Sequence, residues 1–174
     1  GRQLDTQNTL SIMYKNIENS YDSFKEARIK ERAFSYELWL SLLDEWKQSP
    51  LLDVLEIGQT YEGKPIHQVK FGVGPIHICA WSQMHGDEPT ATMALADIFL
   101  FLSQNGSVIS EIREKLHQKI TLRIIPRLNA DGAERWQRET ALGIDMNRDA
   151  TKQNSVEARI LSAWADEIKP TFAF

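Results

Sequence analysis

The stretch "IHICAWSQMHGDEPTATMALADIFLFLSQ", residues 76–104, decides how this chain is read. It opens on IHICAWS, a short and nearly continuous apolar run of the kind found in strands covered on both faces. It closes on EPTATMALADIFLFLSQ, which is long enough for a crossover helix. Between the two lie His85 and Glu88, three positions apart, where strand gives way to helix. In α/β sheets, ligands bind outside the carboxyl ends of the strands. Imidazole nitrogen and carboxylate oxygen are both ordinary zinc ligands, and catalytic zinc sites often combine two histidines with a glutamate. Pro89 suits the first helical position, because the N–H it lacks would have no helical partner there. Gly86 permits a tight turn between the two candidate ligands. The plainer alternative is that Glu88 only complements the helix dipole while His85 is a surface loop residue. An isolated H-x-x-E pair does not discriminate between them.

Working outward, "DVLEIGQ" (53–59), "HQVKFG" (67–72) and "KITLRIIP" (119–126) are further short runs of strand composition, bounded by Gly, Pro or charge. "SEIREKLHQ" (110–118) predicts a short helical turn, and residues 153–169 predict a helix ended by Pro170. "TFAF" (171–174) reads as the start of a buried strand. "SYELWLSLLDEWKQSP" (35–50) is an amphipathic helix with Ser35 as N-cap and Pro50 as stop. Earlier still, Leu10, Met13, Tyr14, Ile17, Tyr21 and Phe24 fall at spacings of three and four, which predicts another amphipathic helix within 7–32. Strand and helix alternate from Leu51 onward. That order predicts an α/β fold, a mixed, mostly parallel twisted sheet flanked by helices.

The chain has 174 residues, room for one domain with a sizeable core. Its net charge of −4 argues against a nucleic-acid or anionic-membrane binder, since either wants a basic face. No apolar stretch reaches the length of a membrane span. With no signal peptide visible at the start, a cytoplasmic location is the expectation, although an exported protein with its signal removed reads the same. Cys79 is the single cysteine, which excludes an intrachain disulfide and a Cys-rich zinc site; within IHICAW it reads as an inert buried thiol. The sequence does not fix the oligomeric state.

A second polar cluster gives the His-Glu pair its weight. "IIPRLNADGAERWQRETALGIDMNRDA" (124–150) begins as a strand and leaves it through NADG, a turn signal. It then carries Arg135, Arg138, Asp145, Asn147 and Arg148. Most such segments are solvated loops. Here three arginines lie close together, and the guanidinium fork matches a carboxylate or a developing oxyanion. The segment also leaves a strand that can share its carboxyl edge with His85.

H-G-D-E-P, N-A-D-G and R-x-x-x-x-G-I-D-M-N-R in that order resemble the zinc carboxypeptidases of the M14 type, and "IGQTYEGKPIHQVKFG" (57–72) is similar to that family's approach to its first core strands. The resemblance covers about 35–174. It implies two parts: residues 1–34 as an N-terminal helical extension, and 35–174 as the N-terminal portion of a catalytic domain built on an eight-stranded mixed sheet. It implies zinc as cofactor, with His85 and Glu88 as ligands. Arg138 corresponds to the arginine that stabilises the oxyanion, and Asn147 and Arg148 to the pair that holds the substrate's terminal carboxylate. Asp145 corresponds to the acid bonded to the far side of the ligand histidine. The family's third ligand histidine follows the strand that TFAF begins, and its catalytic glutamate comes later still. This chain stops before both, so as a fragment it is expected to be inactive. His67, His77 and His117 match no family ligand and read as structural. Asp87 stands where pancreatic-type members carry arginine, and HGDEP is closer to bacterial members and to the aspartoacylase and succinylglutamate desuccinylase branch.

The activity implied is a metallopeptidase that hydrolyses the amide next to a free terminal carboxylate, acting on peptides or peptide-like substrates. Two other readings stay open on the sequence: an N-acyl amino acid amidohydrolase with the same zinc and clamp, and a non-catalytic carboxylate-binding protein on the same fold.

Overall fold

The computed structural model describes residues 35–103 and 106–174; the amphipathic helix expected within 7–32 lies outside them. Helix α1 spans Tyr36–Gln48. Ser35 caps it, its hydroxyl accepting from the Leu38 N–H at 3.1 Å, and thereby satisfies a donor the helix itself cannot. Trp39, Leu42, Leu43 and Trp46 recur at helical spacing and form its buried stripe. Strands β1 (Asp53–Gln59) and β2 (Pro65–Phe71) form an antiparallel hairpin. Strand β3 (Ile76–Trp81) leads into helices α2 (Thr90–Ser103) and α3 (Ser107–Lys119), which return the chain to β4 (Ile120–Ile125). A short helix α4 (Ala130–Glu134), helix α5 (Val156–Ile168) and the two-residue strand β5 (Phe172–Ala173) follow.

The sheet is mixed and its order is β1-β2-β4-β3-β5. β4 lies antiparallel to β2 and parallel to β3, and β3 is parallel to β5. Because side chains alternate across a sheet, consecutive residues serve opposite faces. Ile124 joins a core with Val69, Phe71 and the stripes of α1 and α2, whereas Ile125 joins one with Ile66, Cys79 and Trp164 of α5. The sheet is thus covered on both faces. Trp46 links α1 to α2, packing edge-on against Trp39 at 5.5 Å and Phe99 at 4.6 Å.

Two expectations are corrected. Helix α2 begins one residue after Pro89, whose carbonyl accepts from the Met93 N–H at 2.9 Å, so the proline stands at the cap rather than inside the first turn. Helix α3 is a full 13-residue helix, because its apolar side docks beside β4. β3 is half-buried along most of its length, with Cys79 fully buried and Ile76 exposed. TFAF carries β5, which pairs parallel with β3 at Ile78–Phe172 and Cys79–Ala173.

Truncating Trp46 removes the contact between α1 and α2. Trp46→Ala is expected to lower the unfolding free energy by about 3–5 kcal/mol. Leu55→Ala, at an exposed position, is expected to stay within ~0.5 kcal/mol. Urea unfolding of the two variants checks the contrast.

Candidate active site

β3 and β4 are parallel neighbours, so the segments that follow them leave the same sheet edge side by side. They stay joined beyond the strands. The Ser82 N–H donates to the Ile125 carbonyl, the Leu128 N–H to the Ser82 carbonyl, and the Asn129 N–H to the Gln83 carbonyl, at 3.0–3.1 Å. Gln83 and Arg127 both take left-handed backbone there, at φ 59° and 52°. Non-glycine residues hold such conformations only when their surroundings over-determine them. Gln83 is buried and fixed at both ends of its amide: Thr92 of α2 donates to Oε1 at 2.8 Å, and Nε2 donates to the Gly86 carbonyl at 2.9 Å.

Gly86 is needed for a reason other than turn conformation. Its φ is not left-handed. A Cβ added to it would overlap backbone atoms of Gly132, Ala133 and Gln137. The loop carrying His85 therefore rests directly on the backbone of the NADG segment. NADG itself is more than a turn. Asn129 caps α4 by accepting from the Gly132 N–H at 3.0 Å, and the fully buried Asp131 reaches across to the β1–β2 turn. There Asp131 accepts from the Thr60 hydroxyl at 2.8 Å, the Glu62 N–H at 3.1 Å and the Lys64 ammonium at 3.0 Å. The sequence reading missed this role. Its one signal is the pairing of NADG with TYEGK (60–64), since a buried aspartate requires donors.

Four of the six candidate residues meet in one hydrogen-bonded group. His85 Nδ1 lies 3.1 Å from Glu88 Oε2, and His85 Nε2 lies 3.0 Å from Asp145 Oδ1. Arg138 donates through Nε to Asp145 Oδ2 at 3.1 Å and through Nη1 to Glu88 Oε1 at 3.4 Å. Asp145 also accepts from the Asn147 N–H at 3.0 Å. The hydrogen bond from His85 is the largest influence on Asp145. With those from Arg138 and Asn147 it outweighs burial and pushes the Asp145 carboxyl down to about 2.

Asn147 and Arg148 stand apart from this group, with their side chains toward solvent. The Arg148 side chain is 90% exposed, and its Nε lies 3.9 Å from Asp145. The residues on either side are buried: Met146 packs among Cys79, Ile125 and Leu128, and Asp149 is 3% exposed. Burial opposes ionisation of Asp149, but the N–H groups of Asn154 and Ser155 and the Ser155 hydroxyl donate to it and hold its pKa below the ordinary value. The segment is thus anchored at 146 and 149 and presents 147 and 148 outward. Arg135 does not join the cluster; it pairs with Glu62 on the β1–β2 turn. The other histidines are engaged elsewhere. His77 accepts from Arg123 at 2.9 Å, the His117 ring packs edge-on against Phe71, and His67 is buried in β2, where desolvation lowers its pKa.

The donor set fits a zinc ion. Each ring nitrogen of His85 faces a carboxylate, and a proton shared between Nε2 and Asp145 would leave a lone pair on Nδ1, the nitrogen turned toward Glu88. His85 Nδ1 and Glu88 Oε2, 3.1 Å apart, are the two atoms that would hold the ion, and nitrogen and carboxylate oxygen are the donor types zinc takes. Among the described residues no group of three His, Cys, Asp or Glu side chains is arranged to hold a metal, so His85 and Glu88 supply two donors.

Residues 37–167 match the model of the zinc carboxypeptidase (peptidase M14) family, and the chain belongs to that family. Similar solved structures include a metallo-carboxypeptidase from Burkholderia cenocepacia, 22% identical with a TM-score of 0.73 over 81% of this chain and 40% of that one. Another is a metallo-carboxypeptidase from Pseudomonas aeruginosa in complex with (2-guanidinoethylmercapto)succinic acid, 18% identical with a TM-score of 0.68 over 80% of this chain and 38% of that one. The carboxypeptidase A of Helicoverpa armigera is 18% identical, with a TM-score of 0.57 over 88% of this chain and 50% of that one. At these identities the likeness is one of fold, and the chain spans half or less of each structure's length. No curated protein matches the chain.

The backbone contact at Gly86 generates a prediction. Gly86→Ala is expected to push the His85 loop off the NADG segment, so that zinc affinity, measured by competition with a chelator, falls at least tenfold. An unchanged affinity would show that the contact does not set the His85–Glu88 geometry.

Proposed function

We propose that the whole protein is a zinc-dependent carboxypeptidase that cuts the amide bond next to a free terminal carboxylate. The observation that carries this reading is the Asp145 carboxylate, which holds His85 Nε2 on one oxygen and Arg138 Nε on the other while His85 Nδ1 faces Glu88. In this reading His85 and Glu88 hold the zinc. The metal, when bound, polarises a carbonyl and lowers the pKa of a bound water. Asp145 keeps His85 in the tautomer and orientation that leave Nδ1 free to bind. Arg138, fixed through Nε and turned through Nη1 to Glu88, keeps Nη2 for the oxygen on which negative charge develops. Asn147 and Arg148, presented outward between two buried anchors, take the substrate's terminal carboxylate. A guanidinium makes charge-assisted, paired bonds to such a group. Holding the terminus in this way positions the adjacent amide relative to Arg138 and the His85–Glu88 pair. Membership of the M14 family supports the reading, and the Pseudomonas aeruginosa relative is in complex with a succinic acid derivative, a carboxylate ligand of the class proposed here.

The two arginines separate by role. Arg148→Met is expected to lower kcat/KM on free-acid peptides by roughly 10–100-fold, the worth of a hydrogen bond to a charged group. It should leave the slow cleavage of the matching amides nearly unchanged. Arg138→Met is expected to slow both by about 100–1000-fold, because it acts on the carbonyl oxygen. The assay compares free-acid and amidated substrates in the full-length protein. Equal losses on both in Arg148→Met would remove the carboxylate clamp. A preference for short N-acyl amino acids over peptides would replace a peptidase with an acylase.

A further inference from the structure

Asn129 is fully buried, and its carboxamide serves two separate groups of partners. Through Oδ1 it accepts from the Gly132 N–H at 3.0 Å, which caps α4. Through Nδ2 it donates to three carbonyl oxygens: Met84 at 3.1 Å, Glu139 at 3.1 Å and Arg138 at 3.4 Å. Met84 immediately precedes His85, and the other two carbonyls lie on the segment that carries Arg138. One amide nitrogen therefore joins the two loops from which the candidate site is assembled. The Arg138 carbonyl also accepts from the Gly86 N–H at 3.3 Å, so the same pair of loops is joined again beside it. A cap needs only an acceptor oxygen, which serine, threonine or aspartate supplies equally well. The three carbonyls are met here by the two hydrogens of one NH2 group, and asparagine provides both acceptor and donor in one short side chain.

We infer that Asn129 is a positioning residue that fixes Arg138 against the His85–Glu88 loop, independently of its role as cap. The inference rests on reading His85, Glu88 and Arg138 as one site. Asn129 itself is shut off from solvent, so removing its Nδ2 leaves no water to take its place there; the Arg138 and Glu139 carbonyls keep the Gly86 N–H and Gln137 Nε2, and the Met84 carbonyl loses this tie to the Arg138 segment.

The test separates cap from tether with Asn129→Ser, which keeps an acceptor for the Gly132 N–H but is too short to reach the carbonyls. The first readout is amide hydrogen exchange by NMR in the metal-free full-length protein. The Gly86 amide reports the junction of the loops and the Gly132 amide reports the cap. Protection of Gly86 is expected to fall at least tenfold while Gly132 changes less than threefold. Unchanged protection at Gly86, or an equal loss at both, overturns the inference. Should the serine variant not fold, Asn129→Asp carries the same comparison, since it keeps the size and the acceptor and places an oxygen against the three carbonyls. The second readout is a double-mutant cycle on kcat. Asn129→Ser alone is expected to lower kcat at least tenfold with KM changed less than threefold, and to have less than a threefold further effect in the Arg138→Met background. Additive losses would mean that Asn129 does not act through Arg138 and would overturn the inference. A wild-type protein without hydrolytic activity would sink the proposed function instead, and the exchange comparison would still decide the role of Asn129.

Discussion

The candidate site depends on how closely two loops approach at one edge of the sheet. Parallel pairing of β3 with β4 brings their exits together, and Gly86 lets one loop lie on the backbone of the other. Close backbone approach of this kind excludes water and leaves polar groups that must be satisfied internally. Asn129 satisfies one set, at Met84, Arg138 and Glu139, and Gln83 satisfies another, at Gly86 and Thr92. With the loops held in this way, His85 and Arg138 meet the same carboxylate, that of Asp145. Exposed ion pairs are worth little by themselves. The Arg138–Glu88 contact, with both side chains partly exposed, is a consequence of this arrangement and not its cause.

Support for the loops comes from outside the site. The NADG segment is itself fixed by Asp131, which binds the β1–β2 turn through three donors. Beyond Arg148, Asp149 closes the loop onto the N-terminus of α5, where Ser155 caps the helix by accepting from the Ala158 N–H. Three buried polar side chains, Asn129, Asp131 and Asp149, thus hold a segment in which Asn147 and Arg148, the proposed carboxylate clamp, are exposed. Burying the anchors while presenting their neighbours is how a loop becomes rigid enough to position a ligand.

Much of this was legible in the sequence, wherever the determinant was local. The Ser35 cap, the stripe of α1 and the bounds of β1 follow from spacing and composition, and so does the place of His85 between strand and helix. What could not be read depends on partners far away along the chain. Asp131 meets Thr60 across 71 positions and Asn129 meets Met84 across 45, so NADG alone shows only a turn. Gly86 reads as a tight-turn residue until Gly132 is placed against it. The motif order that marks the zinc carboxypeptidases carried the rest, since three arginines in a loop do not by themselves show that Arg135 turns to Glu62 while Arg138 turns to Asp145.

The central claim is that Asp145 makes His85 a metal ligand by holding its far nitrogen. Zinc titration of the full-length protein against a competing chelator, in wild type and Asp145→Ala, tests it most directly. The account predicts that the variant keeps its circular dichroism spectrum and binds zinc about 10–100-fold more weakly, the usual worth of such a partner. Equal affinity in the two proteins would contradict it and reduce Asp145 to a residue of its own loop.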